Sequence, residues 1–169
     1  MNSTDLPSSK NLTLVVIFIT VLILALMIIG KNASMHYAVM DLGISTHTFF
    51  GINDLKEYSR MFFGHIQPYS YFYAKIWGIF FKSSLSILFL QLFFLILPIF
   101  WIYKKYSIVS VFAYLLYFPL WFNALFDFHI DHLSIPILFG FFFATLNNKY
   151  LWAALFAIAL GFVKEVFIL

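Results

Sequence analysis

Twenty consecutive residues, Asn11–Gly30, carry no charged side chain. A helix of that length rises about 30 Å, the thickness of a bilayer's hydrocarbon core. The run is too long for the h-region of a cleaved signal peptide and reads as an uncleaved first span. Four more apolar runs follow, at Ser84–Tyr103, Ser107–Phe126, Leu133–Leu146 and Tyr150–Val163. The 169-residue chain is 63% hydrophobic and 10% charged, with a mean hydropathy of +0.96 and 24 Phe. A water-soluble core of this size has no use for so many aromatic side chains. The sequence therefore predicts one all-α, polytopic membrane domain of about five transmembrane helices. The absence of cysteine excludes disulfides, thiolate metal sites and cysteine nucleophiles. The net charge of +3 is modest and the basic residues are scattered singly, so membrane lipid, and no nucleic acid, is the expected partner.

The expected order is a tail at 1–10, spans at 11–30, 84–103, 107–126, 133–146 and 150–169, and one long polar loop, Lys31–Ser83. Pro98 and Pro119 predict kinks, which membrane helices tolerate when neighbours satisfy the freed carbonyls. Within the loop, Tyr69, Phe72, Tyr73, Ile76, Trp77 and Phe80 recur at helical spacing after Pro68. With Lys75 and Lys82 largely off that stripe, the spacing predicts a helix over 68–82 lying in the headgroup plane. The run Leu133–Leu146 has 14 residues, shorter than the usual minimum of about 17. It must borrow Ile130–His132, tilt little or sit in thinner lipid. The chain stops within an apolar stretch, which predicts that it is the N-terminal fragment of a longer protein.

Between two apolar runs stands Asp127-Phe128-His129-Ile130-Asp131-His132, four ionisable side chains in six residues. At a bilayer centre each Asp would cost about 2.5–3.5 kcal/mol, so the cluster belongs at a membrane surface or in a wet cavity. If the stretch is helical, Asp127 and Asp131 share a face. If it is extended, Asp127, His129 and Asp131 do. The extended set has mixed oxygen and nitrogen donors for a divalent ion, the helical pair of carboxylates suits Mg²⁺ or Mn²⁺ or the role of a base, and the plainer alternative is a solvated loop with Asp131 capping the next helix. Lys164-Glu165 places adjacent charges after a span, where they must be paired or wet. Asp41 before Ile44–Ile52 reads alone as a helix cap, and His65 before Pro68 as a loop residue.

Alternating the spans gathers these groups on one side. All five histidines and six of the seven acids share a side, leaving Asp5 opposite. Basic residues number six on the acidic side and four on the other, so the positive-inside rule does not orient the chain. Phosphate loops, zinc-protease motifs and serine nucleophile elbows are absent from the sequence.

Five short motifs occur in order: Tyr37 with Asp41-Leu42-Gly43; Gly64-His65 with Pro68; Tyr114-Leu115-Leu116-Tyr117 with Pro119; Asn123 to His129; and Val163-Lys164-Glu165. Together, from Tyr37 to the C-terminus, they resemble the prokaryotic membrane proteins of domain-of-unknown-function family 2079, which are longer. That family is grouped with GT-C glycosyltransferases, enzymes that take a sugar from a polyprenyl-phosphate carrier. The resemblance implies a GT-C-like N-terminal half with an essential acid in the first extracytoplasmic loop, matched here by Asp41. It also implies a cytoplasmic N-terminus and a juxtamembrane helix matched by Pro68–Phe81. Two positions depart from the family pattern. Ile130-Asp131 stands where Pro-Glu is common, and Val166 where an acid is common.

The sequence thus leads to a membrane glycosyltransferase fragment using a lipid-phosphate-linked sugar. Asp41 and Asp131 are its catalytic candidates. His65, Asp127, His129, His132, Lys164 and Glu165 are its substrate-binding candidates, and Asp127, His129 and Asp131 its metal candidates. The rival readings are a transporter or lipid-binding protein that uses the same cluster without catalysis, and an inactive remnant.

Overall fold

The computed structural model describes residues 7–34, 46, 50, 76–126 and 128–163. These are mostly helical, with no strand among the described residues. The helices are α1 (Pro7–Ala33), α2 (Ser84–Ile96), α3 (Pro98–Lys105), α4 (Ile108–Leu115), α5 (Phe118–Leu125), α6 (Ser134–Leu146) and α7 (Tyr150–Val163), with a 3-10 turn, Ile130–Leu133, before α6. Two stretches are long and apolar enough to cross a membrane, Lys10–Ala33 and Ser84–Lys105. A third arises if α4 and α5, bent by 46°, count as one, and Asp131–Leu146 and Tyr150–Val163 are shorter apolar helices.

α1 runs past both ends of the expected span 11–30, because nothing in Pro7–Lys10 or Lys31–Ala33 breaks a helix. Its outward face is apolar, with Phe18 66% and Leu26 59% exposed, as befits contact with lipid rather than water. Leu24 and Ile28 face inward onto Ile87 and Leu88 of α2 and onto Leu120 and Ala124 of α5. Phe128 joins this core and anchors the chain just after α5. A second cluster, Ile99, Ile102, Val111 and Leu115, joins α3 to α4.

Pro119 interrupts the expected span, and the carbonyl that it frees is taken by a side chain. Pro119 cannot donate to the carbonyl four residues earlier, that of Leu115. The indole N–H of Trp121 donates to that oxygen instead, at 2.6 Å. The break falls at Leu116–Tyr117, so the expected single span 107–126 is two helices. At Pro98 the interruption is slight: Leu97, between α2 and α3, keeps the right-handed helical conformation, and one turn back the hydroxyl of Tyr114 donates to the Leu95 carbonyl at 2.6 Å. α2 and α3 together nevertheless continue to Lys105, beyond the expected end at Tyr103.

Of the expected interfacial helix 68–82, residues 76–82 are described, and helix ends at Phe80 rather than at Lys82. Ser83 stops it by capping α2: its hydroxyl accepts the N–H of Ser86 at 3.2 Å. Trp77 alone of the described stripe packs inward, its indole donating to Ser86 at 3.3 Å, while Ile76 and Phe80 are exposed.

α6 and α7 form a hairpin through Asn147-Asn148-Lys149. Asn148 takes the left-handed conformation, φ 55°, which Asn tolerates. The N–H of Lys149 reaches the Ala144 carbonyl at 2.8 Å and that of Asn148 reaches Thr145 at 3.0 Å, a Schellman stop. Gly140 makes the close packing possible, since a Cβ there would lie 2.7 Å from the Phe156 ring.

Candidate functional site

The cavity at one end of the bundle begins with Gln91. This side chain sits seven residues into α2 and is fully buried. Its amide nitrogen donates to the Asn123 carbonyl at 2.7 Å, and its oxygen accepts the N–H of His129 at 3.1 Å. One amide thus holds the last turn of α5 and the strand-like link after it. The link is extended at Phe126 (φ −79°, ψ −179°) and at His129 (φ −129°, ψ 129°), so the ionisable stretch is not one helix. Because His129 bonds to a residue seven positions inside α2, the cluster lies about 10 Å along that helix from Ser84. This explains why the helix after it is short. α6 starts from a recessed point and so has only the remaining length of the bundle to cover.

Asn123, His129, Asp131, His132 and Ile135 line a cavity of about 440 Å³. That size falls within the range of about 300–1,000 Å³ usual for small-molecule sites. His132 is 5% exposed, and its Nδ1 lies 2.5 Å from the His129 carbonyl oxygen. A carbonyl only accepts, so Nδ1 donates to it. His129 is half-buried, with its ring stacked on Phe126 at 5.8 Å and within 6.4 Å of the His132 ring.

Asp131 lies within the 3-10 turn, with its Oδ1 buried. It does not cap α6, as the plainer sequence alternative held. α6 has no side-chain cap, and Ser134 Oγ bonds to the Asp131 main-chain carbonyl at 2.5 Å. The turn consumes the residues that would have formed the cap.

The structure thus brings three of the candidates, His129, Asp131 and His132, onto one cavity. Asp41, His65, Asp127, Lys164 and Glu165 lie outside the described residues. Among the described residues no three His, Cys, Asp or Glu side chains are placed to hold a metal ion. Two of the metal candidates, His129 and Asp131, do share the cavity wall.

Sequence reasoning missed three contributors. Gln91 could have been found, since it is the one amide in the run Ser84–Tyr103, and buried polar groups in apolar helices carry structure or function. Asn123 was visible only as part of a motif; its side chain donates to the Pro119 carbonyl at 2.8 Å. Lys31, read as the end of a span, extends its ammonium to the carbonyl of Leu125, where a cation suits the C-terminal end of a helix.

No known protein family, curated protein or solved structure matches the chain.

Proposed function

We propose that the chain is a GT-C-like membrane glycosyltransferase whose donor is a sugar on a polyprenyl phosphate. The observation that carries this reading is the cavity in which a carboxylate and two imidazoles meet, recessed among apolar helices. The ordered motifs that resemble family 2079 support it. In this reading all five apolar segments cross the plasma (inner) membrane. The N-terminus is cytoplasmic, and the cavity opens on the extracytoplasmic side.

The reaction forms a bond between an acceptor oxygen and the anomeric carbon. The bond from that carbon to the phosphate oxygen breaks, and the lipid phosphate leaves. Asp131, or Asp41 from the loop, takes the acceptor proton. His129 and His65 bind the phosphate. Asp127 and Glu165 hold the sugar or order the site, and Lys164 neutralises the leaving phosphate. His132, whose Nδ1 is engaged by the His129 carbonyl, contributes hydrogen bonding through Nε2. His129 and Asp131 supply two donors of a mixed nitrogen–oxygen set, and a magnesium or manganese ion would need Asp127 as a third.

One observation favours a second reading. α4 and α5 form a bent, discontinuous pair, and α5 ends at the cavity through Asn123. Transporters build solute sites from such broken helices. Both readings are tested with the purified full chain in vesicles supplied with a polyprenyl-phosphate sugar and a mixed acceptor pool. Release of polyprenyl phosphate that is lost in Asp131→Asn supports transfer. Substrate uptake without bond cleavage, also lost in that variant, supports transport and overturns the transferase.

A further inference from the structure

The opposite end of the bundle holds a second cavity, of about 300 Å³, between α3 and the α6–α7 hairpin. Its mouth is polar and its floor apolar. At the mouth stand Lys105, Asn147 and Lys149; at the floor, Gly140 and Phe156. Lys105 Nζ donates to Asn147 Oδ1 at 2.7 Å, which fixes the ammonium at the rim. Lys149 is held there by the Schellman stop that closes α6. Gly140 lies seven residues before Asn147, so the cavity runs about 10 Å down α6. The missing Cβ at Gly140 is what lets the Phe156 ring sit across it as the floor.

We propose that this cavity binds one anionic phospholipid, with its phosphate at Lys105 and Lys149 and the start of an acyl chain along Gly140 and Phe156. Three features carry the assignment. The polarity changes along the cavity in the same order as it does along a lipid. The charge is complementary: the rim is cationic, and the one acid among the described residues, Asp131, lies at the other end of the bundle. The surface around it is apolar, with Leu146 67% and Leu151 74% exposed, so the rest of the lipid has a surface to lie on. Basic pockets between membrane helices recognise headgroups by this combination. A free phosphate would use the rim and leave the floor idle. The assignment does not rest on the glycosyltransferase reading.

The test uses tryptophan fluorescence of the full chain in phosphatidylcholine vesicles, with Trp101 and Trp152 lining the cavity as reporters. Brominated phosphatidylglycerol is compared with brominated phosphatidylcholine as quencher. The expected result is a preference for the anionic lipid of about 25-fold, with about fivefold lost in each of Lys105→Gln and Lys149→Gln and all of it in the double variant. Gly140→Leu fills the floor and should also abolish the preference while both lysines remain. If that variant fails to fold, the lysine variants decide, since both side chains are exposed. Equal quenching by the two lipids in the unmodified chain, or a preference that survives the double variant, overturns the proposal. Reversal of the quenching by millimolar inorganic phosphate also overturns it, because it would mark a site for a free anion.

Discussion

Gln91 of α2 holds the backbone N–H of His129 at 3.1 Å while donating to the carbonyl of Asn123 at 2.7 Å. One neutral side chain therefore sets the position of the ionisable cluster relative to α2 and α5. Its removal strands two main-chain groups in an apolar setting. Each stranded group costs about 1–3 kcal/mol. Gln91→Leu should therefore lower the thermal unfolding midpoint in detergent markedly and loosen the cavity. A variant as stable as the parent would show that the clamp contributes nothing.

Trp121 and Pro119 form a second local pair. The indole takes the Leu115 carbonyl that Pro119 leaves free. Trp121→Phe should therefore cost about 1 kcal/mol beyond lost packing. Pro119→Ala restores a donor for the same carbonyl, so the cost of Trp121→Phe should shrink in that background. A double-mutant cycle of unfolding energies reads the coupling. Strict additivity would mean that the hydrogen bond does not compensate for the proline.

Much of the fold was legible because apolar run length and proline are strong local signals. The helices of Ser84–Lys105 and the break before Pro119 follow directly from them. The recess of the cluster was not legible. The length of Leu133–Leu146 announced a problem, but its solution lay in a hydrogen bond across 38 positions, between Gln91 and His129. The same holds for Lys31, whose partner, Leu125, is 94 positions away. The grouping of His129 with Asp131 was only half legible. The choice between helix and extended chain depended on a 3-10 turn, Ile130–Leu133, that no periodicity in four residues can announce.

Topology gives the last prediction. Two contacts mark opposite ends of the bundle: Lys31 with the Leu125 carbonyl, and Lys105 with Asn147 at 2.7 Å. Ser84–Lys105 covers 22 residues, about 33 Å, enough to separate its ends by a bilayer's hydrocarbon core. Lys82 stands exposed before that stretch, and Asn148 stands exposed beside the far end. The chain contains no cysteine, so a single introduced thiol reports one position. In sealed vesicles, Lys82→Cys and Asn148→Cys should react with an impermeant maleimide from opposite sides. Ser134 lies near the cavity but is 8% exposed, which makes it a poor labelling site. Labelling of both thiols from the same side would mean that Ser84–Lys105 does not cross. The cavity and the lysine rim would then face one aqueous compartment.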